Sequence, residues 1–232
     1  MIRHPRDLNA ETWHLAADLD VYAWYFTPRF CSAIPSARKF RLFMAACFRE
    51  VWAFIPFPEF RGAIEAGERF ADDGNIDAAI AAVDAAEERA KIELSPWREL
   101  GWNLTTLPMD DLLEGGHLKV WTRSVKGLES TELNAVFGRT QEQAAALHLQ
   151  LFRDIFGNPF RPVTFSPNWR TDTAVSLARQ MYDAREFSTM PILADALQDA
   201  GCDRDDVLSH CRDPRGVHAR GCWVVDLVLG RE

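Results

Sequence analysis

Apolar residues recur at three- and four-residue steps over most of this chain, the period of a helix with one buried face. Residues 35–55 place Phe40, Phe43, Met44, Cys47, Val51 and Phe54 on such a stripe, with Ser36 as the expected cap and Pro56 and Pro58 as stops. Two further helices follow at 58–73 and 76–92, divided by Asp72-Asp73-Gly74-Asn75; the second carries Ala79, Ile80, Val83, Ala86 and Ala90. So short a connection favours antiparallel neighbours.

Periodicity fades between 94 and 139, where Pro96, Pro108, Gly115-Gly116, Gly127 and Gly138 interrupt the pattern. His117–Val125 alternates enough for a short strand, and Trp97, Trp102 and Trp121 are expected to pin this stretch to helices. Helical order resumes at 140–156 with Ala144, Leu147, His148, Leu151 and Ile155 on one face, which makes His148 a hydrogen-bonded core or interface histidine. Gly157 and the prolines after it end that helix. Helices are then expected at 171–185, 189–200 and 203–212, the last capped by Asp203 with Asp206 three residues on. In the final segment, Trp223, Val224, Leu227 and Val228 at helical steps favour a helix over the strand that Val224-Val225 would suit.

The pattern predicts a mainly α protein, a multi-helix bundle of seven to nine helices with room for one short strand pair. It divides into an N-terminal helical region (1–93), an irregular connecting segment (94–139) and a C-terminal helical region (140–232). With 232 residues, 47% hydrophobic and 26% charged, the chain has the composition of a globular protein. Its net charge of −8 disfavours a nucleic-acid partner. Charged residues through the first twenty positions (Arg3, Arg6, Asp7, Glu11, Asp18, Asp20) exclude a signal peptide from that stretch, and no apolar run reaches the roughly 18 to 20 residues of a membrane span. A cytoplasmic protein is expected, with its five cysteines reduced. The ten acids against four bases over 57–93 form a solvated face or a docking surface for a basic protein partner.

Cys202, His210, Cys211, His218 and Cys222 fall within 21 residues. Thiolate and imidazole are preferred zinc ligands, and four of them converging at about 2.0 to 2.3 Å would make a tetrahedral site. His218 and Cys222, four apart, share a face if helical. The neighbours His210 and Cys211 diverge by about 100° on a helix, so only one of them ligates. The alternatives are core thiols with carbonyl-bonded histidines, or a nucleophilic Cys222 assisted by His218, which the apolar Trp223-Val224-Val225 beside it disfavours. Arg212, Arg215 and Arg220, with Gly216 and Gly221, are candidate anion-binding residues. The segment 190–212 has the outline of a helix-turn-helix, yet Asp203-Arg204-Asp205-Asp206 puts carboxylates where DNA contacts would fall. No nucleotide loop, dinucleotide fingerprint or hydrolase elbow is present.

The runs FRDIFGNPFRPV (152–163), MPILADALQDAGCDRDDVLSHCR (190–212) and HARGCWVVDLVLGRE (218–232) resemble a family of uncharacterised proteins numerous in planctomycete bacteria. ARKFRLFMAACFREVW (37–52) is similar to a more divergent copy of that family's N-terminal block, with Cys47 the one cysteine there. The resemblance implies a bacterial, cytoplasmic helical protein and supplies no catalytic residues. Caps, stops and stripes with few polar groups arranged for chemistry make the expectation a non-enzymatic protein-interaction or scaffold module that needs no cofactor. The alternative is a protein binding zinc through the C-terminal cluster, structural before catalytic.

Overall fold

The computed structural model describes residues 1–27, 30–31, 35–94, 97–104 and 125–231. It is mainly α. Eleven α-helices have their limits within the described residues, and no strand occurs among those residues beyond an isolated parallel bridge between Ile2 and Ala16. The chain divides into two compact units, Met1–Leu149 and Gln150–Glu232. This boundary lies inside a helix, later than the irregular stretch at 94–139 where the sequence suggested it. A helix carries no outward sign of which unit each turn packs against. The expected strand within 117–125 falls, apart from Val125, outside the described residues, as do the side chains of Trp102 and Trp121.

In the first unit, helices α1 (Leu19–Tyr25), α2 (Ala37–Arg49), α3 (Pro58–Asp73), α4 (Ile76–Ile92), α5 (Trp97–Leu104) and α6 (Thr131–Phe137) precede α7, Gln141–Phe156, which crosses the boundary. Helix α3 packs against both α2 and α4, as the short connection between α3 and α4 requires. Helix α2 is buried on every side from Phe40 to Phe48, so it is a central rod rather than the one-faced helix its stripe suggested. It also ends at Arg49, before the prolines, and Trp52–Phe54 forms a separate 3-10 turn. Ser36 occupies the cap position of α2 without a side-chain cap bond. Three of its basic residues have identified neighbours: Arg38 pairs with Asp72 at 3.2 Å, Arg41 stacks on Phe70, and Arg49 grips buried Glu68 through two bonds of 2.7 and 3.1 Å. On α4 the buried stripe is Ala79, Val83, Ala86 and Ala90, while Ile80 is exposed.

His148, on α7, is fully buried with its Nδ1 2.9 Å from Glu129 Oε1, the core role its stripe implied. Trp97 packs edge-on to Phe57 and lies near Phe137. Among the described residues the helix count exceeds the expected seven to nine by including α1, α5 and α6, short helices that the periodicity did not single out.

In the second unit, the last turns of α7 join α8 (Asp172–Ala184), α9 (Met190–Asp199), α10 (Asp205–Arg212) and α11 (Trp223–Leu229). Helix α8 packs on α9 and α11, and α9 packs on α10, around a core that includes Met181, Tyr182, Leu193, Leu197, Val207 and Val224. The final segment is helical, with Cys222 as its cap residue and Gly230 as its left-handed stop at φ 68°. Arg170 donates twice, at 2.9 and 3.2 Å, to the Leu227 carbonyl near that helix's end. The start of α10 corrects the sequence expectation. The cap is Arg204 without a side-chain cap bond, and Asp206 turns back to pair with it at 2.6 Å instead of supporting a cap at Asp203.

Candidate metal centre

The second unit brings four chemically distinct donors to one point. Asp154 comes from the last turn of α7, His210 from the last turn of α10, His218 from the loop after α10, and Cys222 from the residue that caps α11. One ligand atom from each lies within 4.8 Å of all the others. Asp154 Oδ1 is 2.7 Å from His218 Nδ1 and 3.1 Å from His210 Nε2. Cys222 Sγ is 3.3 Å from His210 Nε2 and 4.0 Å from His218 Nδ1. A tetrahedral ion with bonds of about 2.0 to 2.3 Å needs donors about 3.3 to 3.6 Å apart, so small adjustments of these side chains would seat one. This group could hold a metal ion.

Each imidazole directs a single nitrogen at both the carboxylate and the sulfur: Nε2 for His210, Nδ1 for His218. In a nucleophilic relay, one histidine must bridge with both nitrogens, taking the thiol proton on one and meeting the carboxylate with the other. Neither ring does so here. The thiol also lies at 0% exposure. Burial, followed by the Asp154 carboxylate, pushes the Cys222 thiol well above its ordinary range, the reverse of an activated nucleophile. A cation at the centre would invert that balance by drawing off the thiol proton.

The carboxylate is fixed in both charge and orientation. Burial tends to raise the Asp154 pKa, but hydrogen bonds from His210 and His218 outweigh it and hold the group at about 2. Its second oxygen, Oδ2, accepts the Ala219 backbone N–H at 3.0 Å, which fixes Oδ1 toward the histidines. The rings are fixed by packing: His210 lies 4.9 Å from His218 and 5.1 Å from Trp223, centroid to centroid. The neighbours Gly157 and Gly216 leave room for this. A Cβ on Gly157 would meet Trp223 Cγ at 3.2 Å, and one on Gly216 would meet His218 Nε2 at 2.9 Å. Gly157 also stands at φ 63°, where other residues are strained.

Of the five residues suggested by the sequence, three converge. Cys211 follows the 100° rule: its neighbour His210 faces the site, while Cys211 packs in the core, where burial and then Asp154 push its thiol up to about 12. Cys202 sits buried in the turn between α9 and α10, its N–H donating to the Leu197 carbonyl at 2.9 Å, and is not a member of the group. Asp154 takes the remaining place. Its signal was an acid one helical step from Leu151 on a mostly apolar face, 56 positions before the next member of the group, and distance along the chain concealed it.

The three candidate anion-binding arginines have separate surroundings. Arg212 is bound to Asp195 and Gln198, Arg215 projects from the loop with its side chain 92% exposed, and Arg220 lies over the Tyr182 ring. Among the described residues no helix is long and apolar enough to cross a membrane. No protein-family model, curated protein or solved structure matches this chain.

Proposed function

We propose that Gln150–Glu232 is a zinc-stapled helical unit, and that the protein is a non-enzymatic interaction or scaffold module built on it. The observation that carries the zinc reading is the aim of the four donors: two imidazole nitrogens, one carboxylate oxygen and one sulfur face a common centre, and neither ring acts as a relay. Two nitrogens, one oxygen and one sulfur suit a borderline ion such as Zn²⁺ better than Mg²⁺ or Ca²⁺, which favour oxygen ligands. Four protein ligands close a tetrahedral shell, the arrangement of structural rather than catalytic zinc. Bound there, the ion would join the end of α7, the end of α10 and the start of α11. The bacterial cytoplasmic setting implied by the sequence resemblance would keep Cys222 reduced and available.

Elemental analysis of protein purified without chelator tests this. One zinc per chain is expected, falling below a tenth of that in Asp154→Ala and His218→Ala. Absence of stoichiometric metal, even after dialysis against zinc, removes the reading. For the module as a whole, capture of a defined partner without turnover of any small molecule supports the non-enzymatic part.

A further inference from the structure

We infer that ion occupancy controls how often the surface loop Asp213–Gly221 opens, suppressing opening when loaded and permitting it when stripped; this rests on the zinc reading above. The loop is bracketed by ligands, with His210 just before it, His218 within it and Cys222 just after it. Ligation at these three positions would close two short rings of chain, and closing short loops is where a crosslink constrains the open state most directly.

The loop's two halves are tied down differently. Around its tip, hydrogen bonds close within the loop itself: Arg215 N to Asp213 Oδ1 at 2.9 Å and Gly216 N to the Asp213 carbonyl at 3.0 Å. Residues 212–216 are exposed. In the second half, His218 Nδ1 and Ala219 N both reach Asp154, at 2.7 and 3.0 Å, so one ligand side chain holds two successive residues. The tip is coupled to this anchor through Gly216, whose backbone lies so near the His218 ring that a Cβ would overlap Nε2. Displacing His218 therefore frees the tip. Arg220, stacked 4.4 Å from the Tyr182 centroid, remains as a second hold near the far end, so release is local and does not require loss of the helical core.

Proteases need a locally open segment, so cleavage rate reports this opening. Trypsin digestion of zinc-loaded and chelator-stripped full-length protein, with metal content measured on the same samples, provides the test. Arg185, exposed in the turn after α8, serves as the internal reference. Stripping should raise the cleavage rate after Arg215 by about tenfold or more while changing that after Arg185 less than about twofold, and added zinc should restore protection. His218→Ala should be cut quickly after Arg215 with or without zinc, with its helical circular dichroism retained. Equal rates after Arg215 in protein shown to gain and lose zinc would overturn the loop mechanism and leave the zinc reading intact. Parallel acceleration at Arg185 would replace it with unfolding of the unit, and a chain that takes up no zinc defeats both.

Discussion

Replacing Asp154 by Asn in the metal-free protein separates charge from shape at the centre of the second unit. The carboxylate is 3% exposed and accepts from His218, His210 and the Ala219 N–H. Its depression from 3.8 to about 2 corresponds to about 2 kcal/mol of stability at neutral pH. An asparagine removes that term and turns one NH₂ toward groups that themselves donate, adding about 1 to 2 kcal/mol for a buried donor without an acceptor. The expected loss is about 2 to 4 kcal/mol in Gln150–Glu232. The sign follows from the depressed pKa: the stabilisation is complete above the unfolded value near 3.8 and is lost as pH falls toward about 2.

Hydrogen exchange read by mass spectrometry, with chelator present, resolves the two units, and urea unfolding at pH 7 and pH 3 supplies the pH dependence. Wild type should lose stability in the second unit across that acid range, and Asp154→Asn should lose less because the titrating group is gone. A change below about 0.5 kcal/mol at pH 7, or an unchanged acid response, would mean that the two histidines do not hold the carboxylate as described.

Gly157→Ala should destabilise the second unit by about 1 to 2 kcal/mol and weaken zinc binding, since the new methyl is strained at φ 63° and presses Trp223 beside Cys222; calorimetry and zinc titration measure both. Arg49→Ala should cost about 2 to 3 kcal/mol by thermal unfolding because it removes the two-bond partner of nearly buried Glu68 and the stack on Trp52, and Arg49→Lys should recover only part of that. Burial holds the His148 pKa below its ordinary value, so its contribution to Met1–Leu149 is present above about 6.5 and declines as pH falls below it. Glu50, raised by burial, acts in the opposite direction. His148→Gln should therefore make exchange in the first unit less sensitive to acid between pH 7 and 5, and an unaltered pH profile would show that His148 is not the responsible group.

The helices were legible wherever a stripe ran long enough to show its period. Those at 58–73 and 76–92 match α3 and α4 residue for residue, because Pro58 can sit in a first turn and Gly74 can adopt a left-handed stop. The divergence of His210 from Cys211 was likewise determined by helix geometry, which is local. What tertiary structure decided was every question about which surfaces meet. It enclosed α2 on all sides, placed the unit boundary within α7, and gave Arg212 and Arg220 different partners. Above all it brought Asp154, and not Cys202, to His210, His218 and Cys222. A short-range pattern reports which side a residue faces, but not what lies opposite it, and a ligand brought in by another helix is specified only by packing.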